Sequence, residues 1–195
     1  MVRVTVDSSD LEKSYSKRLA EAPKEAKQAF SRMLRDTERH AQMVVAKQVS
    51  DIYTLSSADV KRPGVSGVSV KSKGDETLLV YRGRTLTWHH FKYAPRSRPR
   101  RRQPLKGAVK KEGGLKPAGS RAFIGGTGAG SVTKVQSIPF WRVGKERTPI
   151  KAIHGPSVPQ MVLNEAEVVP PVLEDLGPYM QERFEHHFGW FSRKG

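Results

Sequence analysis

From Ala26 to Ile52 small and apolar residues return at spacings of three and four. The series is Ala26, Phe30, Met33, Leu34, Thr37, Ala41, Val44, Val45, Val49 and Ile52, with Lys, Arg, Glu and Gln between them. That period predicts one amphipathic helix of about 30 residues, with Pro23 suited to its first turn. At 1.5 Å per residue it is roughly 45 Å long. It either crosses the chain's own sheet or packs against a neighbouring subunit. Upstream, Val2, Val4 and Val6 alternate with polar residues, the period of a short strand. Ser8, Ser9 and Asp10 then offer an N-cap for a helix carrying Leu11, Tyr15 and Leu19.

The middle of the chain changes period. Residues 65–72, 77–82 and 84–91 read as strands of a meander, with a turn at Lys73, Gly74 and Asp75. Residues 94–102 have no apolar period, two prolines and five arginines, which predicts an extended, mobile loop. Residues 107–111 resume pairing, and 122–124 form a short apolar strand. The glycine-rich run 125–130 that follows reads as irregular. Residues 140–143 and 149–153 predict two strands around a turn at Gly144 and Lys145. Gly155 and Pro156 then turn the chain, and residues 157–159 leave extended. In the last section Leu173, Leu176, Met180, Phe184 and Phe188 form one helical stripe. Gly177 and Pro178 interrupt it, so the helix is expected to restart at Pro178. The fold class is α+β: a long N-terminal helix on a small, mostly antiparallel sheet, a basic glycine-rich loop and a C-terminal helix. One domain spans 1–195, in four sections: 1–56, 57–131, 132–163 and 164–195.

Charge sharpens this outline. The chain carries +16, and a balance so basic calls for a polyanionic partner or for subunits of complementary charge. Residues 96–116 hold nine cations against Glu112 alone, a net +8. They are Arg96, Arg98, Arg100, Arg101, Arg102, Lys106, Lys110, Lys111 and Lys116. Self-repulsion and the entropy of ordering predict that this stretch settles only against negative charge, either DNA or an acidic protein surface. Residues 164–188 reverse the sign, with six acids against Arg183, a net −5. Mean hydropathy is −0.57, lean for a compact domain, so some segments are expected to lie outside any core.

Candidate chemistry is thin. The absence of cysteine excludes disulfides and thiolate sites. No apolar run approaches a membrane span, and residues 1–10 do not read as a signal peptide. The glycine run lacks the Lys and Ser/Thr that open a helix in a phosphate-binding loop, since Ser131 and Thr133 precede Lys134. His89 with His90, and His186 with His187, are adjacent pairs whose members point apart. No metal-ligand spacing, nucleophile elbow or acid–base carboxylate pair accompanies them. The expectation is a protein that is not an enzyme and has no catalytic, cofactor or metal site.

The most distinctive stretch is 138–161. It contains Arg142, Gly144, Lys145, Arg147, Pro149 and Ile150 in the pattern R-x-G-K-x-R-x-P-I, followed by Gly155, Pro156, Ser157, Val158 and Pro159. It resembles the phage minor tail protein Z family, the tail-completion proteins of long-tailed phages. Residues 122–124 resemble that family's A-F-I strand, and 86–91 the strand feeding its basic loop. The long N-terminal helix and a C-terminal helix with Arg183, Phe184, Glu185 and His186 also sit where the family has them. The dense cluster 96–102 and the length of the 125–130 run stand apart from the family pattern. The resemblance implies a structural virion protein, assembled in the host cytoplasm, that finishes the head-proximal end of the tail and helps join it to the head. It implies a homo-oligomeric ring around the DNA channel, most simply a hexamer, with tail-terminator or tail-tube and head–tail connector proteins as partners. Such a ring needs a heterologous contact, which the opposed +8 and −5 blocks would suit. The other reading of the composition is a basic nucleic-acid-binding protein of ribosomal or nucleoid type.

Overall fold

The computed structural model describes residues 2–6, 16, 20, 23–73, 76–97, 103–127, 136–164 and 166–193. Strand β1 (Val2–Val6) is followed by the long helix α1 (Pro23–Ile52). Two short helices come next, α2 (Ser57–Lys61) and α3 (Pro63–Ser66). Strands β2 (Val68–Lys73) and β3 (Glu76–Tyr81) follow, then a 3₁₀ turn at Trp88–His90. After it run β4 (Lys92–Ala94), β5 (Lys106–Ala108), β6 (Lys116–Pro117), β7 (Ala122–Thr127), β8 (Gln136–Arg142) and β9 (Ile150–Ala152). Helices α4 (Val158–Val162) and α5 (Val169–Ser192) complete the chain. The cap at Ser8–Asp10 and the face of Leu11, Tyr15 and Leu19 lie outside the described residues.

Helix α1 begins at Pro23 and spans 30 residues. Ala26, Phe30, Met33, Leu34, Thr37, Ala41, Val44, Val45 and Val49 are all buried. Their main partner is α5, which lies antiparallel along α1. Its buried row is Val172, Leu176, Met180 and Phe184, one residue per turn, and each such side chain contributes roughly 1.5–3 kcal/mol of transfer free energy. Phe184 meets Phe30 edge-on at 6.0 Å between ring centroids and stacks on Phe188 at 5.8 Å. Polar pairs fix the register. Asp36 on α1 accepts hydrogen bonds from Arg183 (Nε 3.0 Å, Nη2 2.8 Å) and contacts Nε2 of His187 at 2.9 Å. His40 pairs with Asp175 and stacks on Tyr179 at 3.7 Å.

Two expectations for α5 are corrected. The helix does not restart at Pro178 but runs through it. Proline deprives the Glu174 carbonyl of a donor, at roughly 3 kcal/mol. The residues on either side belong to one buried row, and that packing outweighs the loss. The stripe also turns by one residue: Val172 is buried, whereas Leu173 is 59% exposed.

The strands form three separate three-stranded sheets rather than one meander: β1-β3-β2, β4-β5-β6 and β7-β8-β9, all antiparallel. The first sheet packs on α1 through Val68, Leu79 and Tyr81 in the main core. The other two share a small core of Tyr93, Leu105, Ile124 and Ile153. Trp88 packs against both cores. Residues 84–91 are therefore not a strand. Thr87 bridges His154, and the backbone then tightens so that the Phe91 N–H donates to the Trp88 carbonyl at 3.0 Å, bringing the indole between the cores. Residue 65 is likewise helical, in α3.

Further corrections follow from packing. Gly125, Gly126 and Thr127 extend β7 and pair with Ile138, Ser137 and Gln136. A Cβ at Gly125 would stand 2.8 Å from the Phe140 ring, so glycine serves close approach there. The pairing expected at 107–111 is present as β5 at Lys106–Ala108, but this half of the basic stretch orders on the buried Leu105 rather than waiting for negative charge. Leu105 is the apolar anchor that charge counting overlooked. Residues 158–159 are not extended. Ser157 caps α4 in a capping box with Gln160, whose Oε1 accepts the Ser157 N–H at 2.9 Å.

Candidate assembly surface

The distinctive segment divides into an exposed part and a buried part. Strand β8 is central in its sheet, with Trp141 opposite Ala122 and Lys151, and Arg142 opposite Ile150. Directly opposed residues of an antiparallel pair share a face. Trp141 and Lys151 therefore stand on one face, and Arg142 and Ile150 on the other, alongside Phe123 and Phe140. The connecting loop closes where the Val143 N–H donates to the Pro149 carbonyl at 3.1 Å. Arg142 clamps this loop: its Nη1 donates to the Arg147 carbonyl at 3.0 Å, and its guanidinium lies 4.9 Å from the Phe123 ring centroid. Arg121 donates to the Val143 carbonyl at 3.3 Å. Lys145, Arg147 and Pro149 are exposed, as are Trp141 (45%), Val143 (46%) and Ile150 (43%). A hairpin tip thus presents Lys145 and Arg147 against Glu146, among large apolar side chains left in water.

The second part of the segment is anchored. Ser157, Val158 and Pro159 are buried, and Gly155 and Pro156 are half-buried. The Gly155 N–H donates to the Leu86 carbonyl at 2.7 Å. Turn geometry does not explain Gly155, which is not among the glycines with positive φ. A Cβ there would stand 2.7 Å from Phe91 Cε2, inside the main core. Gly144, by contrast, has only the Glu146 nitrogen near such a Cβ, at 3.9 Å.

The predicted basic stretch is only partly described. Arg96 is exposed, with its guanidinium 4.3 Å from the Tyr93 ring centroid. Arg98, Arg100, Arg101 and Arg102 lie outside the described residues. Lys106 and Lys111 are exposed. Lys110 pairs with Glu167 of the same chain, a hydrogen bond that raises the Lys110 ammonium and lowers the Glu167 carboxyl from their ordinary pKa values. One contact between the basic and acidic blocks is thus made within the chain. Asn164 steadies it, donating to Glu167 Oε2 at 2.6 Å and to the Tyr53 hydroxyl at 3.2 Å.

Tertiary structure adds a feature without local signal. Trp88, Trp141, Lys110, Gly113, Lys116 and His154 line an open groove of about 660 Å³. It forms because β6 and the turn before it face the β8–β9 hairpin across Gly107. A Cβ at Gly107 would stand 2.4 Å from the Trp88 ring, so the indole lies directly on the backbone. Trp88 belongs to the apolar core, as its neighbours predict, and also floors the groove. Nothing in the spacing of Trp88 and Trp141 reveals that they meet.

The histidines are occupied by structural contacts. His89 shares a 2.8 Å hydrogen bond with the Thr87 hydroxyl, and burial, with the neighbouring His90, lowers its pKa. His90 lies 3.6 Å from Asp59, and His187 contacts Asp36. Among the described residues no three His, Cys, Asp or Glu side chains gather as a metal site. No family model, curated protein or solved structure matches the chain.

Proposed function

We propose that this chain is a structural protein of a phage particle, which completes the head-proximal end of the tail and acts as a ring of identical copies. The observation that carries the reading is the division of residues 142–159. Gly155, Ser157 and Pro159 lock the segment into the core, while Arg142, Lys145, Arg147 and Ile150 ride on a clamped hairpin tip. A rigid base under an exposed, cationic and apolar tip suits a subunit contact, where apolar side chains become buried and charge selects the partner. The resemblance of the same residues to the tail-completion family supports the same role. A solvated hairpin has no comparable reason to keep Trp141, Val143 and Ile150 in water.

The test is genetic. Cells producing the particle with a stop codon in this gene should accumulate filled heads and unjoined tails, and added wild-type protein should restore joining. Particles that join normally without the chain refute the proposal. The nucleic-acid-binding reading predicts instead affinity for duplex DNA of any sequence that falls steeply as salt rises.

A further inference from the structure

Resting on that reading, we propose which two surfaces meet: the tryptophan-floored groove of one copy receives the acidic outer face of α5 from the next copy. The two surfaces are complementary. The groove is lined by Trp88 and Trp141, with Lys116 and Glu112 on one wall and Lys110 held by Glu167, and Lys151 adds a cation beside Trp141 on the same face of the hairpin. The outer face of α5 carries Glu174 and Glu182, and Leu173 stands exposed on its flank beside Gly177, which has nothing within 4 Å of its Cβ position. Glu174 and Glu182 lie eight residues apart, roughly 12 Å along one side of the helix. Neither makes an ion pair among the described residues.

Among the described residues the two surfaces do not meet within one chain. The inner row of α5 is buried on α1, and Asp36–Arg183 and His40–Asp175 hold its rotation. The opposite face therefore points away from α1, the helix that holds it. Two different patches of one chain make a heterologous contact, which propagates head to tail and closes into a ring when the rotation permits. Leu173, on the flank of that face, offers an apolar contact at the edge of the groove. Glu174 and Glu182 supply the charge that Lys116 and Lys151 attract. Duplex DNA would use the same lysines but would leave the acidic face of α5 unused.

Charge reversal tests the pairing. One variant carries Lys116→Glu and Lys151→Glu; the other carries Glu174→Lys and Glu182→Lys. All four residues are exposed, and circular dichroism confirms that each variant folds. Sedimentation at low salt measures self-association up to about 1 mM, the weakest contact worth assigning. The wild type should associate, more weakly as salt rises. Each variant alone should associate about tenfold or more weakly, because like charges then meet. An equimolar mixture should regain wild-type association, since every groove again meets a helix of opposite charge. A wild type that stays monomeric at 1 mM, variants that associate like the wild type, or a mixture that fails to recover each overturns the pairing. So does a groove reversal that abolishes DNA binding and leaves association unchanged. If the pairing fails while tails still depend on the chain, the functional reading stands without it. If the mixture recovers but joining never required the chain, only the functional reading falls.

Discussion

Gly155→Ala adds a single methyl group at the junction of hairpin and core, and the structure sets its cost. The new Cβ would lie 2.7 Å from Phe91 Cε2, 3.1 Å from Cζ and 3.3 Å from Cδ2. Comfortable carbon–carbon separations are about 3.5–4.0 Å, so the ring must withdraw by nearly 1 Å. Phe91 is 2% exposed within the main core, and Gly155 is held by its hydrogen bond to Leu86. Neither partner can move cheaply. Overpacking of this kind costs roughly 1–3 kcal/mol, and about 2 kcal/mol is expected here. Gly144→Ala is the internal control, because its Cβ meets nothing nearer than the Glu146 nitrogen at 3.9 Å and its φ is not positive. It should be neutral or slightly stabilising through the unfolded chain. Urea denaturation should show a lower midpoint for Gly155→Ala at an unchanged slope. Adding Phe91→Leu should cost less than the two single changes together, the sign of a shared clash. A Gly155→Ala protein within about 0.5 kcal/mol of the wild type, a spread ordinary for surface changes, would refute the close-approach argument.

Two further outcomes follow from α1 and its neighbours. Tyr81 is fully buried on β3, its hydroxyl has no partner among the described residues, and burial raises its pKa. Tyr81→Phe should therefore stabilise the fold by about 1 kcal/mol in thermal or urea denaturation, since a buried unsatisfied polar group costs roughly 1–3 kcal/mol. Burial pushes the Asp36 carboxyl upward, but hydrogen bonds from His187 and Arg183, with their charges, bring it below its ordinary value. Its contribution is therefore present above the unfolded carboxyl pKa of about 3.9 and is lost as pH falls through the lower folded value. Asp36→Asn should destabilise at pH 7 and flatten the acid limb of the stability–pH curve. An unchanged acid limb would show that Asp36 does not hold α5.

Much of this protein was legible in its sequence wherever a period ran uninterrupted. The 3.6-residue recurrence from Ala26 to Val49 names the buried face of α1 almost residue by residue, because a long helix must bury its stripe whatever covers it. The α+β class, the β8–β9 hairpin and the strand at Ala122 follow from equally local patterns. Tertiary structure decided the remainder. Local rules break α5 at Pro178, yet a buried row continuous on both sides of it overrides a single missing hydrogen bond. Alternation at Leu86 and Trp88 suggests a strand, but the indole must bridge two cores and the backbone turns to place it. Local pattern resumes pairing at 107–111, but net charge marks the whole of 96–116 as mobile and hides the anchor that Leu105 provides. Gly155 reads as a turn residue until Phe91 arrives against it from more than sixty positions away. The groove between Trp88 and Trp141 has no local signature. It exists only where separate sheets meet, and a side chain's neighbours across such a junction are set by packing rather than by spacing.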